Sequence, residues 1–235
     1  MFPIKDSVPS HSTPIATRAL ILVNVVVFFF ELGLPHQSVE QLFYLFGLVP
    51  ARFSHPDWAL AVGFPVDSFW PILTHQFLHG GWFHIVANMW TLWIFGDNVE
   101  DRMGPIRFTI FYLLCGTAAG LTHLYTNPDS TVPSVGASGA IAGVLGAYLF
   151  LFPHASVRTL LFIGPFITFP RISAVLLIGF WFVIQLFDGL ASIAQSSASG
   201  SGVAYWAHIG GFAFGLVVTL LVKGTRGREL VEATT

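Results

Sequence analysis

The sequence predicts an all-α protein, a polytopic membrane bundle of six transmembrane helices. Three observations carry this. Hydrophobic residues make up 54% of the chain and charged residues only 9%, against roughly 25% charged in soluble domains. Six apolar stretches, 17–34, 82–97, 105–125, 138–152, 172–190 and 203–222, approach the roughly 20 residues needed to cross a hydrocarbon core about 30 Å thick. Lys and Arg gather at alternate ends of those stretches. A net charge of -2 and no basic cluster before the C-terminal tail argue against nucleic acid, which needs a dense cationic face. The single cysteine, Cys115, rules out an intrachain disulfide.

The first stretch has a modestly basic leader, and no Ala-x-Ala site follows Phe30, so it reads as a helix and not a signal peptide. Lys5, Arg18, Arg102, Arg107, Arg158, Arg171, Lys223, Arg226 and Arg228 all fall on one side of a six-helix arrangement, and Arg52 alone on the other. Retention of positive charge on the cytoplasmic side then places both termini in the cytoplasm. The expected organisation is a short cytoplasmic segment 1–16, a membrane domain 17–223 and a cytoplasmic tail 224–235. The expected location is the plasma (inner) membrane, with the lipid bilayer as surroundings.

The connection 35–81 is long and mixes Phe43, Tyr44, Phe46, Trp58, Phe64, Phe69 and Trp70 with Pro50, Pro56, Pro65 and Pro71. That mixture suits short amphipathic pieces in the outer interface. A loop covering the neighbouring helices is the simpler account, and one that orients a substrate the more specific.

The densest polar cluster follows, with His75, His79, His84 and Asn88 within fourteen residues. Residues four apart share a helix face, so His84 and Asn88 project together. In lipid such groups must face the bundle interior or water, as interhelical hydrogen-bonding groups or as donors to an oxyanion. His75-x-x-x-His79 also has the spacing of two helical imidazole ligands. Metal binding needs at least three converging ligands, and His123, His154 and His208 stand singly, so neither metal nor cofactor is expected. Asp97, Glu100 and Asp101 close the second helix, Asp97 lying roughly 20 Å from His84. Ties to Arg102 and Arg107 are expected for them.

The fourth stretch is short. From Ser138 to Pro153 is roughly 22 Å of helix, less than the hydrocarbon thickness, so the chain must dip before Ser138. Non-helical backbone at that depth requires protein or a water-filled cavity beside it. Gly139, Ala140, Ala142, Gly143, Gly146 and Ala147 permit close approach of another helix, and Ala207-His208-Ile209-Gly210-Gly211 with Gly215 offers the matching face. His208 lies roughly 8 Å inside its helix, the depth inferred for Ser138. A neutral histidine can take the proton of a serine hydroxyl, so the two suffice as a dyad. No carboxylate is an obvious third member; Asp188, at the outer end of the fifth helix, is the nearest candidate. That helix carries Phe180, Trp181, Phe182 and Phe187, suited to a lateral gate or to ordinary packing. The Ser/Ala/Gly-rich connection 189–202 reads equally as a cap or as a slack linker.

The motifs His84-x-x-x-Asn88, Gly136-Ala137-Ser138-Gly139 and Ala207-His208-x-x-Gly211-x-x-x-Gly215, in this order, resemble those of the rhomboid family of intramembrane serine proteases. The resemblance covers roughly residues 15–223, and the turn from Glu100 to Gly104 is similar as well. It implies a rhomboid-like fold, a catalytic Ser138–His208 dyad, and an oxyanion site formed by His84, Asn88 and the backbone N–H of Ser138. Gly136, Gly139, Gly211 and Gly215 are the implied backbone and packing positions. It also implies transmembrane protein substrates, entering laterally past the fifth helix and unwinding locally, and an active site opening outward. A catalytically silent, client-binding relative is the alternative, although such proteins lack the serine or histidine kept here. A solute transporter fits less well, for no internal repeat is visible. Two departures stand out. Trp70-Pro71 replaces the Trp-Arg of many relatives, so that arginine's role is absent or displaced to Arg52. Ala142 stands where many carry an aromatic that packs on the histidine.

Overall fold

The computed structural model describes residues 2–65, 68–164, 166–194 and 204–232. Each of the six expected stretches is helical over most of its length: α1 (Ile15–Leu32), α6 (Trp82–Met103), α7 (Pro105–Thr126), α8 (Ser138–Leu151), α9 (Ala174–Ala194) and α10 (Tyr205–Glu232). By length and composition, four of them can cross a membrane: α1, α7, α9 over Ala174–Ser192 and α10 over Tyr205–Val222. The apolar α8 is shorter, as the sequence predicts. α6 has the length but carries His84, Asn88, Asp97 and Asn98 among its apolar residues.

α8 is the buried axis of the bundle, with every residue from Gly139 to Tyr148 buried. Its small residues are what permit this. Cys115 of α7 lies against Gly143, and the Gly143 carbonyl approaches Gly215 so closely that no Cβ fits there. In the same way the Gly139 carbonyl fills the space beside Gly211. The small-residue faces inferred from sequence therefore meet as expected. Gly215→Val is expected to force α10 away from α8, costing about 1–3 kcal/mol or more; unfolding of both proteins in mixed micelles checks this, and equal midpoints would contradict the packing account.

The all-α expectation is incomplete, because a small sheet stands beside the helices. Strands β1 (Phe2–Asp6), β2 (Ser156–Ile163), β3 (Phe166–Thr168) and β4 (Arg171–Ser173) form it. The first half of β2 lies between β1 and β4, with Lys5 opposite Arg158 and Val157 opposite Ile172. Its second half folds back on β3 through Gly164, at φ 58°. Segment 2–6 is thus tied to the far end of α8, and Asp6 accepts a hydrogen bond from the Tyr148 hydroxyl at 2.6 Å. The helix α10 continues to Glu232. Of the proposed cap, residues 195–202 lie outside the described residues.

A second correction concerns the turn between α6 and α7. Its carboxylates do not tie to Arg102 and Arg107. Glu100, buried, accepts the backbone N–H groups of Ala16 (2.9 Å) and Thr17 (2.7 Å), where an anion is favoured by unpaired donors and the helix dipole. Asp101 accepts from the Ser12 hydroxyl and the His11 N–H. The acids fasten α1 to α6, and the arginines point elsewhere.

The connection before α6 contains α2 (His36–Phe46), α3 (Pro50–Ser54), α4 (Pro56–Ala61), α5 (Pro71–Thr74) and a 3₁₀ turn at His75–Phe77. Tyr44, Phe46, Leu60, Phe69 and Trp70 are exposed on it, in keeping with an interfacial position. Buried Arg52 donates to the carbonyls of Leu45 (3.3 Å) and Pro65 (2.8 Å) and lies over Phe64, so it holds this loop together. The loop also grips the α7–α8 connection. Leu48 and Ser134 exchange backbone hydrogen bonds, Ala51 N–H donates to Ser130, and His55 pairs with Asp129 at 2.7 Å. The turn leading into Ser138 is therefore held from outside the bundle.

Candidate active site

That turn is shaped by Gly136. Its φ of 130° is open to glycine and rare for other residues, and a side chain there would meet the His84 ring 2.6 Å away. Its N–H donates to the carbonyl of His75 at 2.9 Å. Backbone and imidazole thus approach closely at the spot where α8 begins. Ser138 opens α8, so its own N–H has no helical acceptor.

Ser138 Oγ–H donates to His208 Nε2 at 2.7 Å. The contact joins the start of α8 to the first turn of α10. The other ring nitrogen faces α9, where His208 Nδ1–H donates to Gln185 Oε1 at 2.6 Å. With the proton held on Nδ1, Nε2 presents a lone pair to the serine. The Trp181 ring lies 5.9 Å from the imidazole. Ala142, buried, provides no such surface; α9 provides it instead, which explains how His208 is held without an aromatic on α8.

His84, Asn88, Ser138 and His208 all line one cavity of about 710 Å³. It runs along α6 past Thr91 and reaches Pro3 of β1. Asn88 is buried, and among the described residues its side-chain N–H group has no hydrogen-bond partner. Such a donor costs free energy unless something in the cavity accepts from it. Gly139, Gly211 and Gly215 stand in the α8–α10 contact, and Gly139 also lines the cavity. His75 lines the same cavity, and the His79 ring lies 5.1 Å from that of His84. His79 N–H donates to Glu31 Oε1 at 3.2 Å, and His75 Nδ1–H donates to Pro71 at 2.8 Å. Among the described residues no three His, Cys, Asp or Glu side chains converge as a metal site would require.

Gln185 and Trp181 are the functional candidates that the sequence reading missed or left open. A signal existed for the first: Gln185 is the only polar side chain in 174–187, and an amide in an apolar span needs a partner. The aromatics of α9 divide. Trp181 and Phe182 pack inward on His208 and Phe212, while Phe180 and Phe187 are exposed. Asp188 makes no hydrogen bond to His208, whose Nδ1 is taken by Gln185.

Burial pushes the His75 imidazole down to about 4 from its ordinary 6.5. Between those values the unfolded chain binds a proton that the folded chain does not, so stability falls as pH drops through this window, by on the order of 3 kcal/mol. Unfolding midpoints from pH 7 to 4 should decline less steeply for His75→Gln than for the wild type. Parallel curves would show that His75 contributes nothing to acid lability.

Comparisons with known proteins identify the family. A family model described as the Rhomboid domain matches residues 66–224. Over 174 residues the chain is 32% identical to the mitochondrial Rhomboid protein 1 of Saccharomyces cerevisiae, covering 69% of this chain and 45% of that protein. It is 26% identical over 224 residues to the Rhomboid protease GluP of Bacillus subtilis, covering 95% of this chain and 38% of that protein. RHOMBOID-like protein 5 of Arabidopsis thaliana is 38% identical over 80 residues, 34% of this chain and 26% of that protein. The matches thus span less than half the length of each of these relatives. With that domain over more than half of its length and several helices apolar enough to span a bilayer, the chain is an integral membrane protein of the rhomboid family.

Proposed function

We propose that this chain is an intramembrane serine endopeptidase that cleaves transmembrane proteins in or near their membrane segment with a Ser138–His208 dyad. The observation that carries the reading is the 2.7 Å Ser138–His208 hydrogen bond, opening into a cavity also lined by the unpartnered Asn88 amide. His208 Nε2 takes the hydroxyl proton as Oγ attacks the scissile carbonyl carbon. The resulting oxyanion accepts hydrogen bonds from Asn88, His84 and the Ser138 N–H. Collapse breaks the peptide C–N bond while His208 returns the proton to the leaving amine. Water, deprotonated by the same nitrogen, then releases the acyl group and restores Ser138. Gln185 positions His208 throughout.

The proposed setting is six membrane spans over 17–223, both termini cytoplasmic, segments 1–16 and 224–235 on that side, and the cavity open to the opposite face of the plasma (inner) membrane. Lateral access of a substrate helix between α6 and α9 fits the cavity, which α6 lines through Phe83 and Ala87 and α9 through Phe180 and Ile184. The client-binding alternative has less support, because it gives no account of a serine held against a base. Asn88→Ala is expected to lower kcat about 10²–10³-fold with KM little changed, as for loss of one oxyanion donor. Purified protein incubated with a panel of labelled transmembrane peptides, with cleavage read by mass spectrometry, tests both points. A rise in KM alone would assign Asn88 to binding, and no cleavage across the panel would favour the client-binding reading.

A further inference from the structure

A second cavity, of about 460 Å³, lies far from Ser138. Its walls are the face of α7 bearing Ile110, Phe111 and Leu114, the end of α8 at Leu151, and the face of α10 bearing Phe214 and Val218. Leu151 is thirteen positions beyond Ser138, or roughly 20 Å along α8. The slot therefore belongs to the opposite end of the bundle, where the helices approach the other lipid–water boundary. Ile110 and Leu114 are about half exposed, at 53% and 49%, so the slot faces outward, toward lipid in a membrane-embedded chain.

One end of the slot is cationic. Arg102 and Arg107 line it, and no acidic side chain does. The acids of the same turn are engaged on the other side, Glu100 with Ala16 and Thr17 and Asp101 with His11 and Ser12. Among the described residues neither guanidinium has a carboxylate within ion-pair distance. The Arg102 guanidinium is instead placed 5.3 Å above the Phe152 ring, which orients it at the slot's rim. Two exposed arginines above an apolar trough complement an occupant with an anionic head and a hydrocarbon chain. Paired guanidinium groups suit phosphate oxygens, and basic pockets between membrane helices at headgroup depth hold anionic lipids.

We infer that the slot between α7, α8 and α10 is a binding site for an anionic phospholipid, whose phosphate lies between Arg102 and Arg107 and whose acyl chain lies along Leu114, Leu151 and Val218. The site is separate from the Ser138 cavity and does not depend on peptidase activity. The test is native mass spectrometry of the full chain, titrated with phosphatidylglycerol or with phosphatidylcholine of the same acyl chains. One phosphatidylglycerol is expected to be retained at about tenfold lower concentration than phosphatidylcholine, and Arg102→Gln with Arg107→Gln to abolish that preference. Arg102→Lys with Arg107→Lys should keep most of it. Leu114→Trp with Val218→Trp, which fills the trough, should lower retention of both lipids, and glycerol phosphate, which lacks a chain, should fail to displace the bound lipid. Equal retention of the two lipids by the wild type would overturn the site. So would wild-type preference in the glutamine pair, loss of preference in a folded lysine pair, unchanged retention in the filled variant, or displacement by glycerol phosphate. If the glutamine pair does not fold, Arg107→Gln alone carries the same test with a proportionately smaller shift.

Discussion

Ser138→Ala is expected to reduce cleavage of a transmembrane substrate by about 10⁴-fold or more, to the level left by binding and oxyanion stabilisation alone. Among the described residues that line the cavity, the Ser138 hydroxyl is the nucleophile hydrogen-bonded to a base. Losing it removes the covalent route outright. Ser138 lies at the first turn of α8 and among the described residues its hydroxyl hydrogen-bonds to His208 alone, so the variant should fold and unfold as the wild type does. Turnover by initial-rate assay, alongside an unfolding curve, separates lost chemistry from lost structure. Wild-type turnover in Ser138→Ala would remove the nucleophile assignment.

Gln185→Met is expected to lower kcat by about 10- to 100-fold, part of the 10²–10⁴ that a positioned base contributes. Methionine fills a similar volume but accepts hydrogen bonds only weakly, so His208 Nδ1–H loses its partner at 2.6 Å. The imidazole is then free to take the other tautomer, which points a proton at Ser138 instead of a lone pair. Gln185→Glu retains the acceptor and should recover most of the rate, while KM stays near the wild-type value in both. A purely structural role for Gln185 predicts instead that the two variants lose activity in step with their loss of thermal stability. Trp181 bears on the same group from the ring face, so both restraints on His208 come from α9. Any motion of α9 that admits a substrate must restore them before proton transfer.

Much of this site was legible in the sequence because its signals are local. Ser138 shows through a short apolar stretch flanked by glycines, His84 and Asn88 through their four-residue spacing, and His208 through the small-residue face that surrounds it. Depth could be argued from helix length alone, since 1.5 Å per residue leaves little freedom. The groups not foreseen are those whose partners are remote along the chain. Glu100 and Ala16 are separated by 84 positions, and a carboxylate beside two arginines reads as their partner until the start of α1 is seen against it. Gln185 and His208 are 23 positions apart on helices whose mutual rotation no spacing reveals. The sheet was hidden for the same reason: β2 follows α8 directly, whereas its partner β1 opens the chain, and neither strand shows a clean alternation.

The two corrections also bear on function. Acids that fasten α1 leave the arginines of the α6–α7 turn without a carboxylate partner among the described residues, which is what the proposed lipid site requires. The N-terminal strand supplies Pro3 to the lining of the cavity that Ser138 also lines.

The most direct test of the central claim is covalent labelling with a fluorophosphonate probe, followed by peptide mapping. The account predicts stoichiometric modification of Ser138 in the wild type, strong suppression in His208→Ala and partial suppression in Gln185→Met. Labelling of another residue, or labelling of Ser138 at equal rates in wild type and His208→Ala, would contradict it.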